Sequence, residues 1–442
     1  MDKYLGNKKS IVENIEQLMI KKKIRAGIFF DAFTGTTNVA QYFKQRGFDI
    51  ITSDSNSFSK VLSDAYIVNN TFPKFEKLIG KIDCPLETEK SLLIIEEMID
   101  KTAQKIISDK IFQMDYLQVS DFVREIRPLA KVIYYLNCLS IEKPSEDQLF
   151  FYNYYSIYGE NSIYTSQRGT KGKRNYFSKE NAIKLGVILR QITDWFNDGL
   201  IENNELNILL AAVIEEVTLV ANVAGTFHDF DREKLYPNAL NSMNLRIPLL
   251  NISNRNGNYY SFKGDTNLLY KLEEYHTIVN ENNEIEVLYI DPPYNTGNDI
   301  IYKNDYSVDL DYYKKITGQK SSDNLTLTEQ LEYVRGQNMQ HSFKSQYCYK
   351  ESFQDSLTEL ISNTICKHVI ISYYDENNHW SHGKKTVSYD GRDSVIAALE
   401  NSIGINYFEK EPYSVKRLNY QSRKGENKKN IDELFFYGRK DL

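Results

Sequence analysis

The spacing of apolar residues divides the chain into stretches of different secondary structure. Ser10 to Ile20 places Ile11, Ile15, Leu18 and Met19 at helical intervals. GIFFD (27–31) is instead a short apolar run that ends on an acid, which reads as a buried strand. Thr37 to Phe43 then opens a helix, and DIITSD (49–54) is a second strand that again ends on an acid. Strand, glycine-containing turn, helix, strand is the first half of a nucleotide-binding α/β sheet.

Between about 70 and 245 that alternation stops. Ser91 to Met114 reads as one long helix striped by Ile94, Ile95, Met98, Ile99, Ile106 and Ile107, and Lys179 to Phe196 and Asn203 to Ala221 read as two more. Residues 150–177 are polar, rich in tyrosine and dotted with glycine, and read as a basic, aromatic loop. Near 257 the α/β pattern resumes. NYYSFKGD is strand-like, Thr266 to Glu274 helical, and IEVLYIDPPY (285–294) an apolar strand running into a Pro-Pro turn. Residues 297–348 lack periodicity and read as a long loop or lid. Glu351 to Ile361 is a helix, HVIISYY (368–374) a strand and Arg392 to Ser402 a helix; the strands INYFEK (405–410) and ELFFYG (433–438) flank a basic run. No internal repeat is present. The expected fold class is α/β: one sheet domain over 1–70 and 246–442, interrupted by a mainly helical insert over 71–245. Such an insert, at the carboxyl ends of the strands, lies where ligands bind in these sheets.

Charge and composition narrow the function classes. The formal net charge of −6 over 442 residues argues against a non-specific nucleic-acid binder, which tends to be basic throughout. A sequence-specific enzyme can be acidic overall if its basic residues share a face. Arg168, Lys171, Lys173 and Arg174 form one acid-free run; Lys416, Arg417, Arg423, Lys424, Lys428 and Lys429 form a second, against only Glu426. Either run alone is more often a solvated loop. The 33 Tyr and 22 Phe mostly suit half-buried packing, with a few left to stack on bases. Cys84, Cys138, Cys348 and Cys366 form no CxxC pair and have no histidine cluster beside them, so neither a metal site nor a disulfide framework is expected. A reducing cytoplasm fits, and no apolar run reaches membrane-spanning length, so no membrane association is expected.

The most specific chemistry lies in Asp291-Pro292-Pro293-Tyr294 at the end of an apolar strand. An exocyclic nucleobase nitrogen is a poor nucleophile because its lone pair is delocalised into the ring. A carboxylate accepting one N–H and a rigidly held carbonyl accepting the other would draw it towards tetrahedral geometry. Asp291 supplies the carboxylate, Pro292 the carbonyl, with Pro293 fixing the turn. Tyr294 offers a ring face to a base flipped from the duplex; flipping costs a few kcal/mol and stacking returns about 1–3 kcal/mol. The plainer alternative is a strand-terminal turn at which the prolines merely stop the sheet. A second signal is Asp31-Ala-Phe33-Thr-Gly35-Thr-Thr37. Gly35 permits a tight turn under a ligand, Phe33 suits packing on it, and Asp54 at the end of the next strand suits ribose hydroxyls. A structural turn with surface acids would look similar; Gly264-Asp265 further along strengthens the cofactor reading.

These segments resemble the Dam-like, alpha-group family of adenine-specific DNA methyltransferases. The resemblance is carried in order by YLGNKKSI (4–11), FFDAFTGTTNVA (29–40), ITSDSN (51–56), RNYFSKENA (174–182), ANVAGTF (221–227), KGDTNLL (263–269), VLYIDPPYN (287–295), SQYCYKESFQDSL (345–357) and VIISYYDE (369–376). It implies a Rossmann-like S-adenosylmethionine-dependent methyltransferase sheet with an inserted target-recognition domain. Tyr4 and Lys8 would approach the cofactor's methionine part, Asp31, Phe33 and Gly35 line its pocket, Asp54 hold the ribose and Asp265 lie near its adenine. Asp291, Pro292, Pro293 and Tyr294 would be catalytic. The implied partners are double-stranded DNA and, in a restriction-modification setting, a cognate restriction endonuclease; monomer and weak dimer both remain open. Arg168, Lys171, Lys173, Arg174, Lys416 and Arg417 are the candidates for phosphate contact, and Gln167, Asn181 and the arginines have donor patterns suited to base edges. Two departures stand out. Thr37 occupies a place where the family often has a second glycine, and NTGNDIIYKNDY follows the tetrad where close relatives carry Arg-Gln-Tyr. The competing readings are a cytosine-N4 methyltransferase, in which Ser often replaces the Asp, and a DNA-binding protein on a retired scaffold, which the intact tetrad disfavours.

Overall fold

The computed structural model describes residues 7–82, 88–112, 114–166, 169–223, 230–253, 255–280, 283–293, 345–374, 390–402, 405–418 and 430–440. They fall into two compact units. One holds the described residues within Gly6–Ser63, Ser253–Lys303 and Phe343–Leu442; the other holds those within Asp64–Ile252.

The strands are β1 (Ile28–Asp31), β2 (Asp49–Asp54), β3 (Ile163–Thr165), β4 (Lys171–Lys173), β5 (Tyr259–Lys263), β6 (Ile285–Ile290), β7 (Cys366–Tyr374), β8 (Ile405–Phe408), β9 (Tyr413–Leu418) and β10 (Asn430–Lys440). Among the described residues, eight of them form one mixed sheet in the order β5-β2-β1-β6-β7-β10-β8, with β9 also on β10. β5, β2, β1, β6 and β7 are parallel neighbours, and β10 runs antiparallel to β7, β8 and β9. Parallel strands are covered on both faces, which is why Ile28–Phe30 and Val287–Ile290 are continuously apolar. Successive side chains point to opposite faces. On one face Phe29 stacks on Phe43 of helix Asn38–Gln45 at 4.3 Å between ring centroids, beside Phe48 and Tyr289. On the other, Phe30, Leu288, Ile290, Ile371 and Phe436 pack with Phe353, Leu357 and Leu360 of helix Lys350–Asn363 and with Val395 and Ala398 of helix Gly391–Asn401. Burying one such phenylalanine is worth roughly 1.5–3 kcal/mol.

The C-terminal part differs from the sequence expectation. The second basic run does not begin as a loop: Lys416 and Arg417 lie in β9, opposite Asp432 and Ile431 of β10. Charge is tolerated there because β9 is an edge strand. β10 extends beyond ELFFYG to Lys440, whose buried ammonium donates to the carbonyls of Ile361 (2.8 Å) and Thr364 (2.9 Å) and so caps helix Lys350–Asn363.

The Asp64–Ile252 unit is mainly helical. The long helix expected over Ser91 to Met114 is shorter, Glu89–Ser108, and starts at Thr88, whose hydroxyl accepts from the Ser91 amide. Asp115 and Gln118 then form a capping box that opens a separate helix, Tyr116–Glu125. Helices Arg127–Cys138, Lys179–Asn197 and Asn203–Val220 follow. Residues 150–177 are not an exposed aromatic loop. Phe150–Tyr155 is helical, and Phe150, Phe151, Tyr155, Tyr176 and Phe177 are buried against one another. The β3–β4 hairpin stays at the surface, with Ile163, Lys171 and Lys173 exposed.

Candidate active site

Because β5, β2, β1 and β6 are parallel, their carboxyl ends share one edge of the sheet. The strand order reverses between β1 and β6, and the crevice outside that reversal is where open α/β sheets bind ligands. Asp31 ends β1, Asp54 ends β2, Gly264 and Asp265 follow β5, and Asp291 follows β6.

The turns after these strands are tied together. Thr266 donates its hydroxyl to the Ala32 carbonyl at 2.8 Å and shares a 2.7 Å hydrogen bond with Ser53 Oγ. Asp54 accepts from the Gly35 amide at 2.9 Å and from the Asn56 amide at 2.9 Å, so it builds the glycine turn. Gly35 has φ 50° and Thr37 φ 62°. The place where glycine is usual is therefore left-handed backbone, uncommon for a β-branched residue. Thr37 is fully buried; its hydroxyl donates to the Thr36 carbonyl at 2.6 Å and accepts from Gln41 Nε2 at 2.8 Å, which offsets the strain. Phe33 is half-buried and meets the edge of Tyr347, whose phenol donates to Asn267 Oδ1 at 2.7 Å. Asp265 accepts from the Asn267 amide at 3.0 Å, capping a short helical turn.

At the β6 end, Lys8 joins Asp291 at 3.1 Å and Glu433 of β10 at 2.5 Å. Ser372 of β7 donates to the same Glu433 oxygen at 2.5 Å. The Pro293 carbonyl accepts from the Cys348 thiol at 3.2 Å, holding the Pro-Pro turn against the segment before helix Lys350–Asn363. Burial pushes the Asp31 carboxyl up to about 7, and the Asp291 and Asp54 charges add to this. Burial also raises Asp54, against hydrogen bonds from the Asn56 and Gly35 amides.

The raised Asp31 carboxyl has a pH consequence. An unfolded aspartate ionises near 3.9. Between that value and about 7 the folded protein retains a proton that the unfolded chain has lost, so this group makes stability fall as pH rises through that window and level off above it. Moving the ionisation of one group by a single pH unit is worth about 1.4 kcal/mol. Asp31→Asn is expected to match the parent near pH 4 and to exceed it by a few kcal/mol at pH 8 in denaturant titrations. An equal difference at both pH values would contradict this.

The structure brings Lys8, Asp31, Phe33, Gly35, Asp54, Asp265, Asp291, Pro292 and Pro293 to one end of one sheet. Tyr4, Tyr294, Gln167 and Arg168 lie outside the described residues, as do 294–344, and the Arg417 side chain does too. Lys171, Lys173 and Lys416 are exposed. Arg174 is not: it is fully buried, and its guanidinium donates to the Tyr154 carbonyl, so it is not presented to a phosphate. Asn181 is likewise committed, donating to the Ala239 and Asn241 carbonyls and accepting from the Met243 amide, and does not present a base-reading edge. Sequence reasoning missed Glu433, Thr266 and Tyr347. Glu433 carried a faint signal, as an acid leading into an apolar strand.

Fold and site together define a Rossmann-like methyltransferase: an open, mostly parallel sheet with acids along its carboxyl edge and a Pro-Pro turn at the strand reversal. The chain belongs to the family of D12 class N6 adenine-specific DNA methyltransferases, whose model matches residues 4–366. It is 25% identical over its full length to the type II methyltransferase M.FokI of Planomicrobium okeanokoites, covering 53% of that protein. It is 26% identical, again over its full length, to the modification methylase LlaI of Lactococcus lactis subsp. lactis, covering 55%. The type II methyltransferase M.NlaIII of Neisseria lactamica is 28% identical over 47% of this chain and 54% of its own length. The chain thus spans about half the length of the curated relatives it matches. No solved structure matches it. Among the described residues, no helix is long and apolar enough to cross a membrane.

Proposed function

We propose that this chain transfers a methyl group from S-adenosylmethionine to the exocyclic N6 amine of adenine in a specific double-stranded DNA sequence, with the base flipped from the duplex. The observation that carries the reading is the placement of Asp291, Pro292 and Pro293 at the sheet reversal, next to the acid-lined turns of Asp31 and Asp54. When bound, the cofactor supplies an electrophilic methyl group on a sulfonium, which leaves as a neutral thioether.

The residues suit that group. Asp31 and Asp54 offer carboxylates to a cation and to ribose hydroxyls, Gly35 allows close backbone approach, and Phe33 offers a ring face. Asp291 accepts one N–H of the target amine and the Pro292 carbonyl the other, directing the nitrogen lone pair at the methyl carbon. The work is positioning and hydrogen bonding at fixed groups. Asp291 need not be a strong base, because the proton can leave after transfer. Tyr294 would stack on the extruded base. The exposed Lys171, on the β3–β4 hairpin, and Lys416 would meet phosphates, whereas the Lys173 ammonium donates to the Ile157 and Gly159 carbonyls. The proposal extends to a cytoplasmic role beside a cognate restriction endonuclease, a reading supported by relatives named as type II and modification methylases.

The test is to incubate the purified chain with S-adenosylmethionine and unmethylated bacterial genomic DNA, then digest to nucleosides for mass spectrometry, with modification-sensitive sequencing of the same DNA. N6-methyldeoxyadenosine confined to one short sequence is expected. N4-methylcytosine alone, or no modified base, would overturn the proposal.

A further inference from the structure

Glu433 has no part in the chemistry described so far, yet it is fully buried and belongs to the ionic cluster at the end of β6. Burying a carboxylate costs several kcal/mol unless it is well paired, and an apolar residue of similar volume is often as stable or more so. In β10, Glu433 lies between the exposed Asp432 and the buried Leu434, and its same-face neighbour Phe435 is buried, so an apolar side chain would be the simpler filling. Instead the chain places an acid there, adds the Lys8 ammonium at 2.5 Å and a Ser372 hydrogen bond at 2.5 Å, and lets the same ammonium reach Asp291 Oδ1 at 3.1 Å. Three strands and the segment before helix Val12–Lys21 converge on this cluster.

We propose that Glu433 is a positioning residue for methyl transfer that acts through Lys8. The inference rests on Asp291 being the hydrogen-bond acceptor for the target amine. A lysine paired with Asp291 alone would fix that carboxylate but neutralise it, weakening it as an acceptor. Glu433 takes the shorter contact with the ammonium. The cluster of two carboxylates and one ammonium keeps a formal charge of −1, so Asp291 is oriented by Lys8 and remains electron-rich. Ser372 fixes the Glu433 oxygen on which this division depends.

Glu433→Gln keeps the shape and removes the charge. With the cofactor saturating and unmethylated genomic DNA as acceptor, kcat is expected to fall at least tenfold while KM for S-adenosylmethionine stays within about threefold. Because the effect passes through Lys8, Lys8→Met/Glu433→Gln should be no slower than Lys8→Met. Ser372→Ala, which keeps the charge and loosens its orientation, should lower kcat a fewfold with the same unchanged KM. Wild-type kcat in Glu433→Gln, a change in KM alone, or losses that multiply in the double variant would overturn the proposal. Should Glu433→Gln fail to fold, Ser372→Ala decides, and wild-type kcat in that variant overturns it. A parent protein that methylates no adenine sinks the functional reading itself, whereas an active parent with an unaffected Glu433→Gln sinks only the role of Glu433.

Discussion

Asp291→Ala is expected to lower single-turnover methyl transfer by at least about a thousandfold while leaving S-adenosylmethionine affinity within a few fold. Removing one preorganised hydrogen-bonding group at a reacting centre typically costs about 10²–10³ in rate. Here the acceptor also orients the nucleophile, so the loss should lie at or beyond that upper end. The geometry explains why cofactor binding should survive. Asp291 follows β6, whereas the glycine turn is built by Asp54 and Gly35 after β2 and β1. The fold should survive too, because Lys8 keeps Glu433 as its partner at 2.5 Å. Rapid-quench measurement of methyl incorporation, paired with calorimetric titration of the cofactor, tests both parts. A variant within tenfold of the parent rate would remove Asp291 from the chemistry.

The largest expected destabilisation lies in the helical unit. Asn222 is fully buried; its amide donates to the carbonyls of Asn175 (2.9 Å), Asp231 (3.1 Å) and Lys234 (2.9 Å), and its oxygen accepts from the Tyr236 amide at 2.8 Å. Asn175 also donates to the Asp231 and Lys234 carbonyls, so those two keep a partner when Asn222 is lost. The Asn175 carbonyl and the Tyr236 amide lose theirs. A buried group left unsatisfied costs about 1–3 kcal/mol, so Asn222→Ala is expected to destabilise by about 2–4 kcal/mol in urea unfolding. A change below about 0.5 kcal/mol together with a large loss of turnover would mean instead that Asn222 contacts substrate.

The sheet was legible where local pattern and burial coincide. Gly27–Phe30 of GIFFD and the Ile50-Ile51 centre of DIITSD are apolar because parallel strands are covered on both faces, and the terminal acids fall at the crevice because parallel strands end together. The region after 91 was less so. Its isoleucine stripe runs on past Ser108, but Asp109 accepts from the Ile111 amide and Asp115 caps a new helix, and these short polar hydrogen bonds override the apolar period. Tyrosines around 150–177 looked available to stack on bases because composition cannot tell a ring turned inward, such as Tyr155, from one turned outward, such as Tyr158. The same limit hid the burial of Arg174. Glu433 was out of reach for a different reason: its meaning depends on Lys8, 425 positions away, and no local pattern joins them.

The order of strand pairing also bears on how the chain is made. β1 and β2 leave the ribosome before their outer neighbours in the sheet, β6 and β5, which are encoded about 250 and about 210 residues later. At synthesis rates of about 5–20 residues per second, the nascent pair waits roughly 10–40 seconds with both edges open. Helices of the intervening unit can form over short separations during that interval, whereas Ile28–Asp31 and Asp49–Asp54 leave the hydrogen-bonding groups of their outer edges unpaired. Overproduction in cells short of nascent-chain chaperones should therefore fail first through these two amino-terminal segments.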